Sequence, residues 1–274
     1  MLLFSQAKIN IGLQVLNKRD DGYHNINTVF YPIPWEDAIE FHETPSFNLH
    51  CYGEDLNIPL SEHLLYKTWK LMQNEVEILK SKEITIHHLK HIPNGAGLGG
   101  GSGNVGAFIN AINDYFSCGL SQNTKENLAA KIGSDCAFFV HNQACLGKGR
   151  GDILEPLDFS LSDYTIQIFN PKIKIATKNA FLSISNNEKA KKEELPLKDI
   201  IKLPVNEWKF YLENSFSPWV QKEYPIIKES IEKLYKEGAL YAELSGSGPS
   251  FYAIFPKNKQ LNKFLFKDMR SVII

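Results

Sequence analysis

Residues 93–103 read PNGAGLGGGSG, with glycine at 95, 97, 99, 100, 101 and 103. Each glycine inside regular structure costs roughly 0.5–1 kcal/mol relative to alanine, because more backbone freedom is lost on folding. Six in one short stretch imply that the backbone itself is put to use. The sequence that follows, NVGAFINAINDYF, spaces Val105, Phe108, Ile109, Ile112 and Phe116 as one face of a helix over 104–116. A glycine loop that feeds a helix N-terminus gathers free N–H groups and the positive end of the helix dipole. That is an anion site, and most often a phosphate site. A flexible linker is the competing reading, but linkers carry more serine and rarely lead straight into an amphipathic helix.

The loop fits two familiar nucleotide motifs poorly. Gly95, Gly97 and Gly100 satisfy G-x-G-x-x-G. A dinucleotide fold, however, needs a strand immediately before the loop and an acidic residue at the end of the next strand, about 20 residues on. Pro93 intervenes, and Asp114 falls inside the predicted helix. No Lys-Ser or Lys-Thr follows the glycines, so the loop is not a Walker motif either.

Composition narrows the rest. A chain of 274 residues suits one large domain or two ordinary ones, and 43% hydrophobic content provides a sizeable core. A formal net charge of −1 leaves no basic footprint for nucleic acid. No apolar run approaches the length of a membrane span. The N-terminus MLLFSQAKINIGL carries Lys8 in its middle and no small-residue cleavage site, so it does not read as a signal peptide. Cysteines at 51, 118, 136 and 145 form no C-x-x-C pattern, as expected of reduced thiols in a cytoplasmic protein. The eight histidines show no metal-ligand spacing; His87, His88 and His91 read as ordinary polar positions, and no metal ligand is assigned.

Along the chain, Ala7, Ile9, Ile11, Leu13 and Val15 alternate with Lys8, Asn10, Gly12 and Gln14, which is a period-two strand. Lys8 and Asn10 share its polar face, and on spacing alone that face reads as solvated. Asp21-Gly22 marks a turn, after which Tyr23 and His24 are suited to stacking on, or hydrogen bonding to, a planar base. Residues 35–56 read as short strands turning at Thr44-Pro45 and Gly53-Glu54. An amphipathic helix is predicted over 61–79, a strand over 84–88, and a helix over 124–132 stopped by Gly133. Asp135, between that helix and the apolar run CAFFV, is either a cap or a buried carboxylate able to orient or deprotonate a hydroxyl. Residues 186–199 read as a polar surface excursion, and 217–235 as a helix disturbed at Pro225. LSGSGPS at 244–250 is a second glycine loop before the strand-like FYAIF.

Three segments together resemble the GHMP kinase superfamily: AKIN at 7–10, PNGAGLGGGSGN at 93–104 and LSGSGPS at 244–250. More narrowly, AKINIGLQVLNKRDDGYHNINTVF at 7–30 and GSDCAFFV at 133–140 resemble the members that phosphorylate a cytidylated methylerythritol in the non-mevalonate isoprenoid route. The resemblance spans nearly the whole chain in the same order. It implies an α+β, two-domain fold with the active site in the interdomain cleft. An ATP-binding and catalytic part is expected over 1–152 and a substrate-binding part over 153–274.

The resemblance also implies roles. Lys8 and Asp135 match the catalytic pair, Asp135 acting on the substrate hydroxyl as base or by orientation. Lys8 then lowers the carboxylate's basicity or stabilises charge on the transferring phosphoryl group. Pro93, Asn94, Gly95, Ala96, Gly97, Leu98, Gly99, Gly100, Gly101, Ser102 and Gly103 would hold ATP, with Ser102 a contact to phosphate or to Mg²⁺. Asn10 would help place the substrate, Tyr23 would stack on its cytosine, His24 would bond the base edge, and Phe181 would be a second stacking aromatic. The expected co-substrate is Mg-ATP, and the expected assembly is a monomer or weak homodimer with no nucleic-acid or membrane partner.

The chain departs from the family pattern at Gly103, where a second serine is usual, at Cys136-Ala137, where Val-Pro is usual, and at His63, where asparagine is frequent. The competing readings are a sister kinase for another small alcohol, a non-catalytic nucleotide-binding protein and, more distantly, a dinucleotide-dependent enzyme.

Overall fold

The computed structural model describes residues 1–54, 58–184, 195–262 and 265–274. Its α+β chain forms two compact units that are not contiguous segments. One gathers residues 1–8, 32–94 and 99–143; the other gathers 9–31, 95–98 and 144–274. Strands β1 (Leu2–Lys18) and β2 (His24–Thr44) each contribute residues to both. The predicted polar excursion at 186–199 lies largely outside the described residues.

In the first unit, β3 (Asn48–Gly53) pairs parallel with β4 (Glu83–Lys90), which pairs antiparallel with β2 so that Phe41 faces Ile86. The sequence suggested several short strands after residue 35, yet β2 is one strand of 21 residues. Its Pro32 and Pro34 fall between two ladders, Thr28–Phe30 on a later strand and Ala38–Thr44 on β4, where a missing N–H is tolerated. Helices α1 (Leu64–Glu75), α2 (Gly100–Tyr115), α3 (Gln122–Ile132) and α4 (Cys136–His141) cover this sheet. Phe41, Trp69, Ile86, Val105, Phe108 and Ile112 are fully buried in their shared core. Each such side chain contributes roughly 1.5–3 kcal/mol by burial, which outweighs the glycine cost at the start of α2.

Helix α2 starts at Gly100, four residues earlier than the apolar spacing predicts. Close packing explains its composition. A Cβ on Gly103 would lie 2.4 Å from the Gln6 carbonyl oxygen, and one on Gly106 would lie 2.6 Å from Phe139. A serine at 103 would require the Gln6 backbone or the start of α2 to shift.

The second unit contains β5 (Cys145–Lys148) and β6 (Ile153–Pro156), with β5 antiparallel to residues 28–30 of β2. It also holds a four-stranded sheet of β7 (Tyr164–Asn170), β8 (Tyr241–Leu244), β9 (Phe251–Pro256) and β10 (Arg270–Ile273), in the order β10-β7-β9-β8. Its helices are α5 (Thr177–Ser183), α6 (Leu197–Ile200), α7 (Ser217–Glu223) and α8 (Pro225–Lys236). The expected disturbance at Pro225 is a complete break, because that proline opens a new helix at its favoured first position. Leu13, Val15, Phe216, Ile227, Leu234 and Phe251 meet in this unit's core.

Glu243 on β8 accepts hydrogen bonds from Ser217 Oγ (2.5 Å) and Leu244 N (2.7 Å). Burial pushes its carboxyl up to about 7, more than these bonds lower it. An unfolded glutamate titrates near ~4.3, so between these values the native state binds the extra proton and stability falls as pH rises. Glu243→Gln should therefore raise the thermal midpoint at pH 8 and leave it nearly unchanged at pH 5. Equal shifts at both pH values would contradict the assignment.

Candidate active site

Lys8 lies in the middle of β1, where both faces of the strand are buried, so the solvated reading of its polar face does not hold. Lys8 is 4% exposed and Asn10 is 2% exposed. Burial lowers the Lys8 pKa, and the charge of Asp135 opposes that shift. Asp135 occupies the N-cap position of α4, but its carboxylate makes no capping bond. Ser134 Oγ donates to Asp135 Oδ1 at 3.3 Å. The side chain is thus not consumed by the helix end and interacts electrostatically with the buried amine.

The same unit brings the start of α2 to this pair. Gly99 precedes the helix with φ +67°, and a Cβ there would lie 2.8 Å from the Phe139 ring and 3.1 Å from Lys8 Cγ. Ser102, in the first turn, is hydrogen-bonded with the Cys136 thiol, whose pKa burial pushes up to about 12. Cys136 is an inert packing residue at that position. Lys8, Asp135, Gly99 and Ser102 therefore form one cluster at a helix N-terminus, the chemistry expected of an anion site that also holds a carboxylate and an ammonium.

Residues 95–98 belong to the second unit, where the 245–250 loop supports them. Ser245 Oγ donates to the Gly97 carbonyl (2.9 Å), and Ser250 N donates to the Ala96 carbonyl (3.1 Å). Asn214, which sequence reasoning did not single out, holds that supporting loop. It is 2% exposed, donates to the Leu244 and Gly246 carbonyls (3.1 and 2.8 Å) and accepts from Phe216 N (3.0 Å).

A second unrecognised pair fixes the approach to the glycine loop. Lys90 Nζ donates to Asp37 Oδ2 (2.5 Å) and the Ile92 carbonyl (2.7 Å), while His91 N and Ile92 N donate to Asp37 Oδ1 (2.7 Å each). Burial raises the Asp37 pKa, but bonds from His88 and Lys90, the Lys90 charge and the backbone donors bring it down to about 2. A cavity of about 210 Å³ in this unit is lined by His63, Leu65, His88, Lys90, Asn94 and Asn104, among others. His63 caps α1 by accepting from Leu65 N (3.2 Å), a role asparagine fills equally well.

Known proteins can now be set beside this geometry. A protein of Bacteroides thetaiotaomicron named 4-diphosphocytidyl-2-C-methyl-D-erythritol kinase is 40% identical, covering 97% of this chain and 99% of its own. One of the same name from Porphyromonas gingivalis is also 40% identical, covering 98% and 97%. This chain belongs to the 4-diphosphocytidyl-2-C-methyl-D-erythritol kinase family. The GHMP kinases N terminal domain matches residues 63–143, and the GHMP kinases C terminal domain matches 212–267. A crystal structure of 4-(cytidine 5'-diphospho)-2C-methyl-D-erythritol kinase superposes with a TM-score of 0.83 at 24% identity, over 100% of this chain and 98% of that one, and shares its fold.

Tyr23, His24 and Phe181, the residues expected to meet the base, lie in the second unit. Tyr23 is 56% exposed, with the Arg150 guanidinium 5.3 Å from its ring centroid. Asp21 Oδ1 accepts from Tyr23 N (3.1 Å) and its carboxylate pairs with Arg19, fixing the turn. His24 stacks on Phe181 with centroids 5.1 Å apart and an interplanar angle of 20°. That spacing is direct ring contact, too close for a base to enter between the two, and Phe216 packs edge-on against Phe181 at 5.0 Å. Phe181 thus braces His24, while Tyr23 is the aromatic with an open face. Asn10 Nδ2 donates to Thr28 Oγ1 (3.0 Å), and its backbone carbonyl accepts from Tyr252 Oη (3.0 Å).

Proposed function

We propose that this chain transfers the γ-phosphoryl group of Mg-ATP to the 2-OH of 4-diphosphocytidyl-2-C-methyl-D-erythritol. The observation that carries the reading is the buried Lys8 amine under the charge of Asp135, beside the first turn of α2. Family membership supports the choice of substrate. In the reaction the substrate oxygen forms a bond to the γ-phosphorus, the bond to the β,γ-bridging oxygen breaks, and ADP leaves with that electron pair. Asp135 accepts the hydrogen bond of the attacking hydroxyl and takes its proton as transfer proceeds. Lys8 stabilises negative charge on the transferring group. Positioning and charge stabilisation are the main demands of phosphoryl transfer, and a preformed cluster supplies both.

Mg²⁺ bound with ATP would supply charge neutralisation at the phosphates. Ser102 is the hydroxyl of this chain suited to contact it, and the N–H groups that open α2 suit the phosphate oxygens. Gly95 adopts φ +63°, and a Cβ there would meet nothing within 4 Å, so the loop has open space on that side. Tyr23 stacks on the cytosine and His24 bonds its edge. The cysteine spacing suits a cytoplasmic enzyme.

The deciding experiment is ³¹P NMR of the purified protein with Mg-ATP and the cytidylated methylerythritol, with mevalonate, homoserine and galactose in parallel. A new monophosphate ester with the cytidyl compound alone is expected. Turnover of another alcohol instead would discard the substrate, and no ester with any acceptor would discard the kinase. Tyr23→Ala should raise KM for the cytidyl substrate about 10- to 100-fold, corresponding to lost stacking of roughly 1–3 kcal/mol, with little change in KM for ATP. An unchanged cytidyl KM would exclude the stacking role.

A further inference from the structure

Histidine spacing in the sequence gave no metal pattern, yet the fold assembles one from three separate elements of the first unit. Cys51 on β3, His63 at the cap of α1 and His88 on β4 each offer a ligand atom, and the three atoms lie within 4.8 Å of one another. Cys51 Sγ is 3.5 Å from His63 Nε2. That is close to the separation of two ligands around a tetrahedral ion with bonds of about 2.3 Å to sulfur and 2.0–2.1 Å to nitrogen. We propose that Cys51, His63 and His88 form a binding site for a borderline-soft divalent ion such as Zn²⁺, with water completing the tetrahedron. His63 and His88 line the same cavity as Asn94 of the glycine loop, so an ion there would sit beside the nucleotide site of the proposed kinase.

Two observations beyond proximity point to an ion. His88 is 1% exposed, and its Nδ1 has no hydrogen-bond partner. Buried polar atoms are rarely left so, and coordination would satisfy it. Its other nitrogen, Nε2, sits 3.0 Å from Asn104 Nδ2 and 3.8 Å from Asp37 Oδ2; with an ion on Nδ1 the ring proton lies on Nε2, and the Asn104 amide must turn its oxygen to accept it. A metal-bound imidazole ordinarily turns its second nitrogen towards such a carboxylate, which orients the ring. The donor set of one thiolate and two imidazoles selects zinc-like ions over Mg²⁺ or Ca²⁺, which prefer oxygen.

Two features oppose binding, and neither outweighs it. Coordination through His63 Nε2 moves that ring's proton to Nδ1 and removes the bond from Leu65 N, costing roughly tenfold in affinity. The Lys90 ammonium is nearby, but Asp37 already neutralises it at 2.5 Å. The entering ion also converts the Cys51 thiol to a thiolate, so the site gains only one net positive charge.

The test uses full-length protein stripped of metal and titrated with Co²⁺, followed by Zn²⁺. The expected result is a saturable, one-to-one thiolate-to-cobalt charge-transfer band with strong tetrahedral d–d bands, both removed by Zn²⁺. Cys51→Ser, on an exposed edge strand, should abolish the charge-transfer band. His63→Asn retains a good helix cap and should weaken Co²⁺ binding by at least about tenfold. Thermal unfolding of both variants confirms that they fold. Absence of the band, its persistence in Cys51→Ser, or undiminished affinity in His63→Asn would each overturn the proposal.

Discussion

Asp135→Asn should lower kcat by about 10²- to 10⁴-fold, the range of a lost general base, while both KM values stay within a few-fold. The structure makes this a clean substitution. The Asp135 backbone is helical and its carboxylate makes no capping bond, so the substitution removes no cap hydrogen bond from α4. Asparagine keeps the shape and the contact with Ser134. What it removes is the proposed acceptor for the substrate proton and the negative charge that raises the Lys8 pKa against burial. The buried amine consequently loses its proton more readily, and the pH–rate profile should change shape as well as height. Steady-state kinetics from pH 6 to 9, with a thermal unfolding control, measures both. A kcat within a few-fold of the parent would exclude Asp135 as the catalytic carboxylate, whatever the effect on stability.

The sequence revealed the elements whose signal is local. The alternation over 7–15, the helix over 124–132 stopped at Gly133, and the turn at Asp21-Gly22 all depend on near neighbours, and they appear where expected. Signals that depend on what packs against a segment were not legible. Period two reports one polar face at Lys8 and Asn10, but only the other elements determine that this face is buried. The start of α2 was misplaced because helix propensity argues against Gly100, Gly101 and Gly103, whereas backbone approach from Gln6 favours glycine at 103.

The ion pair of Asp37 with Lys90 joins residues 53 apart, and Asn214 clamps a loop 30 residues further on. Neither has a motif, since each acts on backbone groups that a sequence does not display. Family resemblance brought forward Lys8, Asp135, Tyr23 and His24, but not the neighbours that hold them. Phe181 illustrates the limit. Its residue type suits a stacking platform, and only coordinates reveal that His24 already lies against it.

Gly97→Ala should raise KM for ATP by about 10- to 100-fold and lower the thermal midpoint. Gly97 has φ +77°, and a Cβ there would stand 2.1 Å from the Ser245 carbonyl oxygen and 3.1 Å from that of Gly248. Both obstacles are backbone, and the loop that carries them is held by Asn214, so neither can rotate aside. Residues 96–97 must move instead, breaking the bonds from Ser245 and Ser250 that fix their carbonyls. A shift of this kind, on the order of 1 Å, is enough to cost about 100-fold where catalysis depends on positioning. Gly95→Ala is the matched control. It carries a similar φ of +63° and so a similar left-handed penalty of roughly 1–2 kcal/mol, but its Cβ would meet nothing within 4 Å. The difference between the two variants isolates close approach from backbone strain. Equal ATP affinities, measured by isothermal titration with a non-hydrolysable analogue, would mean that the 245–250 loop does not shape the phosphate site. A selective loss in Gly97→Ala assigns the second glycine loop the task of holding the first in its binding conformation.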